Sequence, residues 1–210
     1  AELARENPVA ADVVIPVPDS GVPAAIGYAQ ESGVPFELGI IRSHYVGRTF
    51  IQPSDSARHA GVKRKHNANR PLVEGKSIVL IDDSIVRGTT SLKIVRMMRD
   101  AGAREVHFRV ASPPTSNSCY YGVDTPERSK LLAAQMDCEA MRDFIQADSL
   151  AFVSIDGLYR AVGKEARDGA CPQYCDACFT GDYPTRLTDL NRREDAAAQL
   201  SFPVGKTKVA

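Results

Sequence analysis

Apolar residues along this chain fall into short continuous runs, separated by longer stretches with helical spacing. That alternation predicts strands alternating with helices. Val13-Val14-Ile15-Pro16-Val17 and Ile78-Val79-Leu80-Ile81 are the strongest runs. Phe36–Ile41, Val106–Ala111 and Leu150–Ser154 follow the same pattern. Because the apolar positions are consecutive rather than alternate, both faces of these strands are expected to be covered. Between them, Val22–Glu31 reads as a helix packing Ala25, Ile26 and Ala29 and ended by Gly33. Ser91–Met98 reads as a helix with Leu92, Val95 and Met98 on one side, closed by Gly102. Asp137–Ile145 and Ile155–Val162 complete the set, with Ala1–Ala11 a short lead and 191–210 a polar helix and tail. The expected class is α/β, a parallel sheet flanked by helices.

The polar residues that follow the two strongest runs carry the candidate chemistry. After Ile81 comes Asp82-Asp83-Ser84-Ile85-Val86-Arg87-Gly88-Thr89-Thr90. A strand, a turn rich in Gly and hydroxyls, and a helix N-terminus make an anion cradle, since backbone N–H groups and the helix dipole both favour negative charge there. Two carboxylates would repel a bare phosphate. They suit sugar hydroxyls needing acceptors, or a hard cation such as Mg2+. A phosphate beside a diol with a metal nearby describes a phosphorylated ribose. After Val17, Pro18-Asp19-Ser20-Gly21 forms a second strand–loop–helix unit that can offer N–H groups to an anion. Either loop alone is an ordinary polar βα turn. Together they outline a site with two anionic ends.

The nine-residue segment from Asp82 to Thr90 resembles the phosphoribosyl pyrophosphate (PRPP) signature of type I phosphoribosyltransferases. The resemblance implies that fold, with a flexible lid loop. It places Asp82 and Asp83 at the ribose hydroxyls and Mg2+, with Ser20 a further metal contact. Ser84, Arg87, Gly88, Thr89 and Thr90 would hold the 5′-phosphate, and Asp19, Ser20 and Gly21 would line the pyrophosphate loop. Between the two loops lies Tyr45-Val46-Gly47-Arg48-Thr49-Phe50-Ile51-Gln52-Pro53, followed by a basic stretch with Arg58, Lys63, Arg64, Lys65 and Arg70. A run of that kind is a solvated face, a nucleic-acid patch or a lid over a polyanion. With Val62-Lys63-Arg64-Lys65-His66-Asn67-Ala68-Asn69-Arg70, these motifs resemble the amidophosphoribosyltransferase family from about Val13 to about Thr185. That family implies attack of ammonia on PRPP to give phosphoribosylamine and pyrophosphate, the first step of purine synthesis. It also implies Arg48 and Lys65 covering the substrate, purine nucleotides as inhibitors, and a homo-oligomer. Where the family often has Lys-Asn-Arg before the tyrosine, this chain has Arg42-Ser43-His44.

Composition narrows the field. The 26 basic and 26 acidic residues cancel, which favours neither nucleic acid nor an anionic membrane. No apolar run is long enough for a bilayer span and no signal peptide is visible. The five cysteines, Cys119, Cys138, Cys171, Cys175 and Cys178, read as thiols in a reducing cytoplasm. Cys175 and Cys178 form a C-x-x-C pair, which fits zinc or iron–sulfur. The resemblance implies a 4Fe-4S cluster on Cys119, Cys175 and Cys178, with its fourth ligand upstream of Ala1 and Cys171 the nearby substitute. Cys138 is expected in the core. The expected organisation is a PRPP-binding domain over 1–165, N-terminally incomplete, a Cys-rich segment over 166–190 and a tail over 191–210. The family's glutaminase domain is expected to be absent. The competing functions are a salvage phosphoribosyltransferase, a PRPP-sensing regulator without catalysis, and an inactive truncated remnant.

Overall fold

A computed structural model describes residues 1–43 and 66–187. The tail over 191–210 lies outside them. The order is α1 (Glu2–Glu6), β1 (Val13–Pro16), α2 (Val22–Ser32), β2 (Ile40–Arg42), β3 (His66–Ala68), α3 (Arg70–Val73) and β4 (Ser77–Asp82). Then come α4 (Thr89–Asp100), β5 (Glu105–Val110), a 3-10 turn (Arg128–Lys130), α5 (Leu132–Gln135), α6 (Cys138–Ile145), β6 (Ser149–Phe152), α7 (Ile155–Ala161) and α8 (Ala177–Thr180).

The main sheet is wholly parallel, ordered β1-β4-β5-β6. Beyond β1, Phe36 forms an isolated parallel bridge to Val14. From β1 the chain therefore leaves through α2 to one side of the sheet order, and from β4 it leaves through α4 to the other. The reversal falls between β1 and β4. In open α/β sheets the crevice at the carboxyl ends of such a strand pair is where ligands bind. The register sets Pro16 beside Ile81, so both loops start at the same level.

All six residues of β4 are buried, as expected of a strand covered on both faces. Ile78 and Leu80 point into one core with Ile94, Val95 and Met98 of α4 and Met141 and Ile145 of α6. Val79 and Ile81 point into a second core with Leu3, Ala4, Ala25, Tyr28 and Ala29. The two cores lie on opposite faces of one strand, with α2 serving one and α4 the other. Among the described residues no helix is long and apolar enough to cross a membrane.

Several expectations need correction. On α2, Ala25 and Ala29 are buried but Ile26 is exposed. Tyr28 takes the core position instead, because its hydroxyl finds a partner, donating to the Asn7 carbonyl at 3.0 Å. On α4 the buried face is Ser91, Ile94, Val95 and Met98, with Leu92 only half-buried. The expected strand over Phe36–Ile41 is divided. Phe36 bridges β1, the backbone then presses Gly39 against the Ile15 side chain, and Ile40–Arg42 pairs with β3 in a separate antiparallel ribbon. A Cβ at Gly39 would sit 2.5 Å from Ile15 Cδ1, so the chain crosses over the sheet edge there rather than extending it. Cys138 is exposed, not in the core; it opens α6, and its thiol reaches the Leu150 carbonyl at 3.5 Å.

Candidate functional site

The loop after β1 and the loop after β4 meet at the reversal point. The Val17 amide donates to the Ile81 carbonyl at 2.8 Å, and the Gly21 amide turns back to the Val17 carbonyl at 3.0 Å. Gly21 is the point of closest approach: a Cβ there would lie 2.3 Å from the Ile81 carbonyl oxygen and 2.9 Å from that of Val17. Only a residue without a side chain lets the first loop rest on the end of β4. The Pro18–Asp19 peptide in this loop is cis.

Both loops run into a helix whose N-terminus is left open. Gly21 precedes α2 and Gly88 precedes α4; neither helix has a side-chain cap or an acidic residue in its first turn. The contrast is with the other helices of seven or more residues; the short α1, α3, α5 and α8 also lack a side-chain cap. Helix α6 is capped by Asp137, whose carboxylate accepts from the Ala140 amide at 2.9 Å, and α7 by Ser154, which accepts from the Gly157 amide at 2.8 Å. Both of those helices also carry an acid in the first turn, Glu139 and Asp156. A helix end without cap or counter-charge keeps N–H donors and a positive dipole end for another anion. Two such ends flank one crevice here.

The acidic pair sits between them. Asp82 is buried at the end of β4, where its Oδ1 accepts from the Asp83 amide at 2.9 Å. Burial, with the Asp83 charge adding to it, pushes the Asp82 carboxyl up to about 8. Asp83 is exposed, and the Ser84 hydroxyl donates to it at 3.1 Å. Two adjacent carboxyls thus occupy unlike environments. Among the described residues no group of three or more His, Cys, Asp or Glu side chains is arranged to hold a metal ion. One or two carboxylates nonetheless suit Mg2+, which keeps waters and takes further oxygens from a phosphorylated substrate.

The other site residues divide clearly. Gly88 is buried with φ 71°, while Arg87, Thr89 and Thr90 are exposed around it and Ile85 anchors the turn in the core. The amide of Leu132 donates to the Val86 carbonyl at 2.8 Å, fastening the turn to α5. Asp19 and Ser20 are exposed in the first loop. Arg48 and Lys65, with the expected lid from Tyr45 to Pro53 and His44, lie outside the described residues. The sequence offered no partner for Arg42, but its guanidinium pairs with Asp19 across 23 residues of chain. A basic residue closing a short apolar strand was the available signal; its target was not, because the fold brings the two together.

The cysteines are brought together in part. The Cys119 and Cys178 thiols lie close enough to shift each other's titration. Backbone amides of Tyr121 and Val123 hold Cys119 below the usual thiol range, whereas burial, reinforced by Cys119, pushes Cys178 up. Cys175 and Cys171 are exposed. The segment is fixed by the buried Asp176, which takes Arg167 Nε at 2.5 Å and the Tyr159 hydroxyl at 3.0 Å. Amides of Ser116 and Asn117 both donate to the Cys178 carbonyl, at 3.1 and 3.0 Å. Among the described residues no three thiols are arranged to hold a metal ion, where a cubane cluster takes four.

Residues 1–128 match the family described as phosphoribosyl transferase domain. An amidophosphoribosyltransferase of Rhizobium etli is 68% identical over 190 residues, 90% of this chain and 38% of that protein. One from Bacillus subtilis is 53% identical over 185 residues, 88% of this chain and 39% of that protein. The solved structure of the B. subtilis glutamine PRPP amidotransferase, complexed with ADP and GMP, matches with a TM-score of 0.78 at 53% identity, over 89% of this chain and 41% of that one. The chain spans about two fifths of the length of these relatives. A parallel sheet flanked by helices agrees with these matches, and the chain belongs to the phosphoribosyl transferase domain family.

Proposed function

We propose that this chain is the phosphoribosyl-transferring part of an amidophosphoribosyltransferase. PRPP binds with its 5′-phosphate at the Ser84–Thr90 turn and its pyrophosphate at the Asp19–Gly21 loop. One observation carries the reading: two uncapped helix N-termini face one crevice, with a carboxyl pair between them. Donors at two places with acceptors between them suit a sugar with an anion at each end.

In the reaction a C1–N bond forms from ammonia, the C1–O bond to pyrophosphate breaks with its electrons going to the leaving group, and the new ammonium sheds a proton. The chain's task is positioning and charge neutralisation. Asp82 and Asp83 orient the ribose hydroxyls. The open ends of α2 and α4 stabilise the two anionic groups. Asp83 and Asp82, with Ser20, would hold Mg2+, which would supply Lewis-acid neutralisation of charge on the leaving group. An iron–sulfur cluster has no part in these steps, since no electron is transferred. In the complete protein the ammonia comes from glutamine, purine nucleotides inhibit, and the subunits assemble as a homo-oligomer in the cytoplasm.

The test uses the full protein with PRPP, Mg2+ and ammonium, reading pyrophosphate release. Asp82→Asn combined with Asp83→Asn is expected to lower the rate about 100-fold or more, with the unfolding midpoint showing that the variant folds. Unchanged release, or no PRPP uptake by folded wild-type protein in calorimetry, overturns the assignment.

A further inference from the structure

The β4–α4 turn is tied down from outside its own motif. Among the described residues, the main chain from Ser84 to Gly88 enters only two hydrogen bonds. The Gly88 carbonyl accepts from the Leu92 amide at 2.9 Å, which opens α4, and the Val86 carbonyl accepts from the Leu132 amide at 2.8 Å. None of the amides from Ser84 to Gly88 donates to another described group. Donors kept free in this way serve an anion well only when they are already aligned; otherwise binding must also order them.

Leu132 supplies two restraints at once. It is the first residue of α5, so its amide has no carbonyl to meet within that helix and is free to reach Val86. Its side chain is buried beneath Gly88, with Cδ2 2.6 Å from where a Cβ at Gly88 would stand. That side chain packs in the core that also holds Ile85, Met141 and Ile145, so the support is itself anchored. One residue far along the chain therefore fixes the turn at Val86 through its main chain and at Gly88 through its side chain.

We propose that Leu132 is a positioning residue for the 5′-phosphate: by fixing the main chain at Val86 and Gly88, it aligns the free amides of the turn before the phosphate arrives. This rests on the phosphoribosyl-transfer reading and deepens it. Leu132 acts through the turn and not on the reacting atoms.

Calorimetry on the full protein with two probes tests this. Ribose 5-phosphate reports the β4–α4 turn, and inorganic pyrophosphate with Mg2+ reports the β1–α2 loop. Leu132→Pro deletes the N–H donor. Proline is accommodated at a first helical position, and Leu131 already has the extended backbone that suits the residue before it, φ −81° and ψ 127°. Leu132→Ala keeps the N–H and removes the packing beneath Gly88. Losing either restraint should weaken ribose 5-phosphate about fivefold and leave pyrophosphate within twofold. Leu132→Met, which keeps the amide and nearly the same volume, should bind both probes as wild type does. Val106→Ala opens a cavity in the same core near the start of β5, away from the crevice. It should lower the unfolding midpoint and leave both affinities unchanged, as would any residue that only stabilises the fold. If folded Leu132→Pro or Leu132→Ala binds ribose 5-phosphate within twofold of wild type, or pyrophosphate weakens as much, or Val106→Ala shows the same loss, the inference fails while the transferase reading stands. Should Leu132→Pro not fold, Leu132→Ala decides alone. If folded wild-type protein binds neither probe, both fail.

Discussion

Replacing Gly88 by alanine tests how the phosphate turn is held. Gly88 has φ 71°, a conformation that costs an L-residue about 1 kcal/mol. A new methyl would also sit 2.6 Å from Leu132 Cδ2 and 3.0 Å from Phe144 Cε1. Phe144 is partly exposed and can swing aside, but Leu132 is 3% exposed and has nowhere to go. Overpacking of that kind costs about 1–3 kcal/mol, so Gly88→Ala should lose about 2–4 kcal/mol in all. Gly33 provides the control. It has the same φ of 71° and nothing within 4 Å of its Cβ position. Gly33→Ala should lose only the backbone share, about 1 kcal/mol. Urea unfolding followed by circular dichroism measures both, the slope confirming that the denatured states are comparable. PRPP affinity should fall for Gly88→Ala and hold for Gly33→Ala, which lies at the far end of α2. Equal losses in the two variants would mean that Leu132 yields freely and that α5 does not clamp the turn.

Three further outcomes follow from named contacts. Asp137→Ala removes the α6 cap and should cost about 1 kcal/mol in urea unfolding without changing PRPP affinity. Arg167→Gln leaves Asp176, whose side chain is 4% exposed, without its ionic partner; about 3 kcal/mol of local stability should go. Hydrogen exchange should rise across 167–183 and stay flat in β4. Burial, assisted by the Arg109 charge, holds His107 below the usual imidazole range. A depressed folded pKa means that the unfolded chain takes up the proton first, so the stability it contributes is complete above about pH 6.5 and is lost as pH falls through the folded value. Unfolding at pH 7.5 and 5.5 should show this slope, and His107→Gln should flatten it.

The strands were legible because burial on both faces leaves an unbroken apolar run, which Ile78–Ile81 and Val13–Ile15 display. Helix faces were less so. Ala25 and Ala29 allow either Ile26 or Tyr28 to turn inward, and the choice depends on a carbonyl at Asn7 that no local pattern announces. On α4 the spacing of Leu92, Val95 and Met98 is as helical as that of Ser91, Ile94, Val95 and Met98; the sheet decides between them. Both loops could be placed after their strands from residue types alone, since Gly, Pro and hydroxyls after an apolar run mark a turn. Their juxtaposition could not, because it depends on β1 and β4 being neighbours across more than sixty intervening residues. The Arg42–Asp19 pair was hidden for the same reason.

The open ends of α2 and α4 bear on any attempt to engineer this fold. A stabilising campaign would ordinarily place serine or aspartate at such positions, but here there is no room: a Cβ at Gly21 meets the Ile81 carbonyl oxygen and one at Gly88 meets Leu132. Heat-resistant variants of this fold should therefore take their gains elsewhere and leave both helix starts bare. The crowding that fixes the two loops also protects the donors they present.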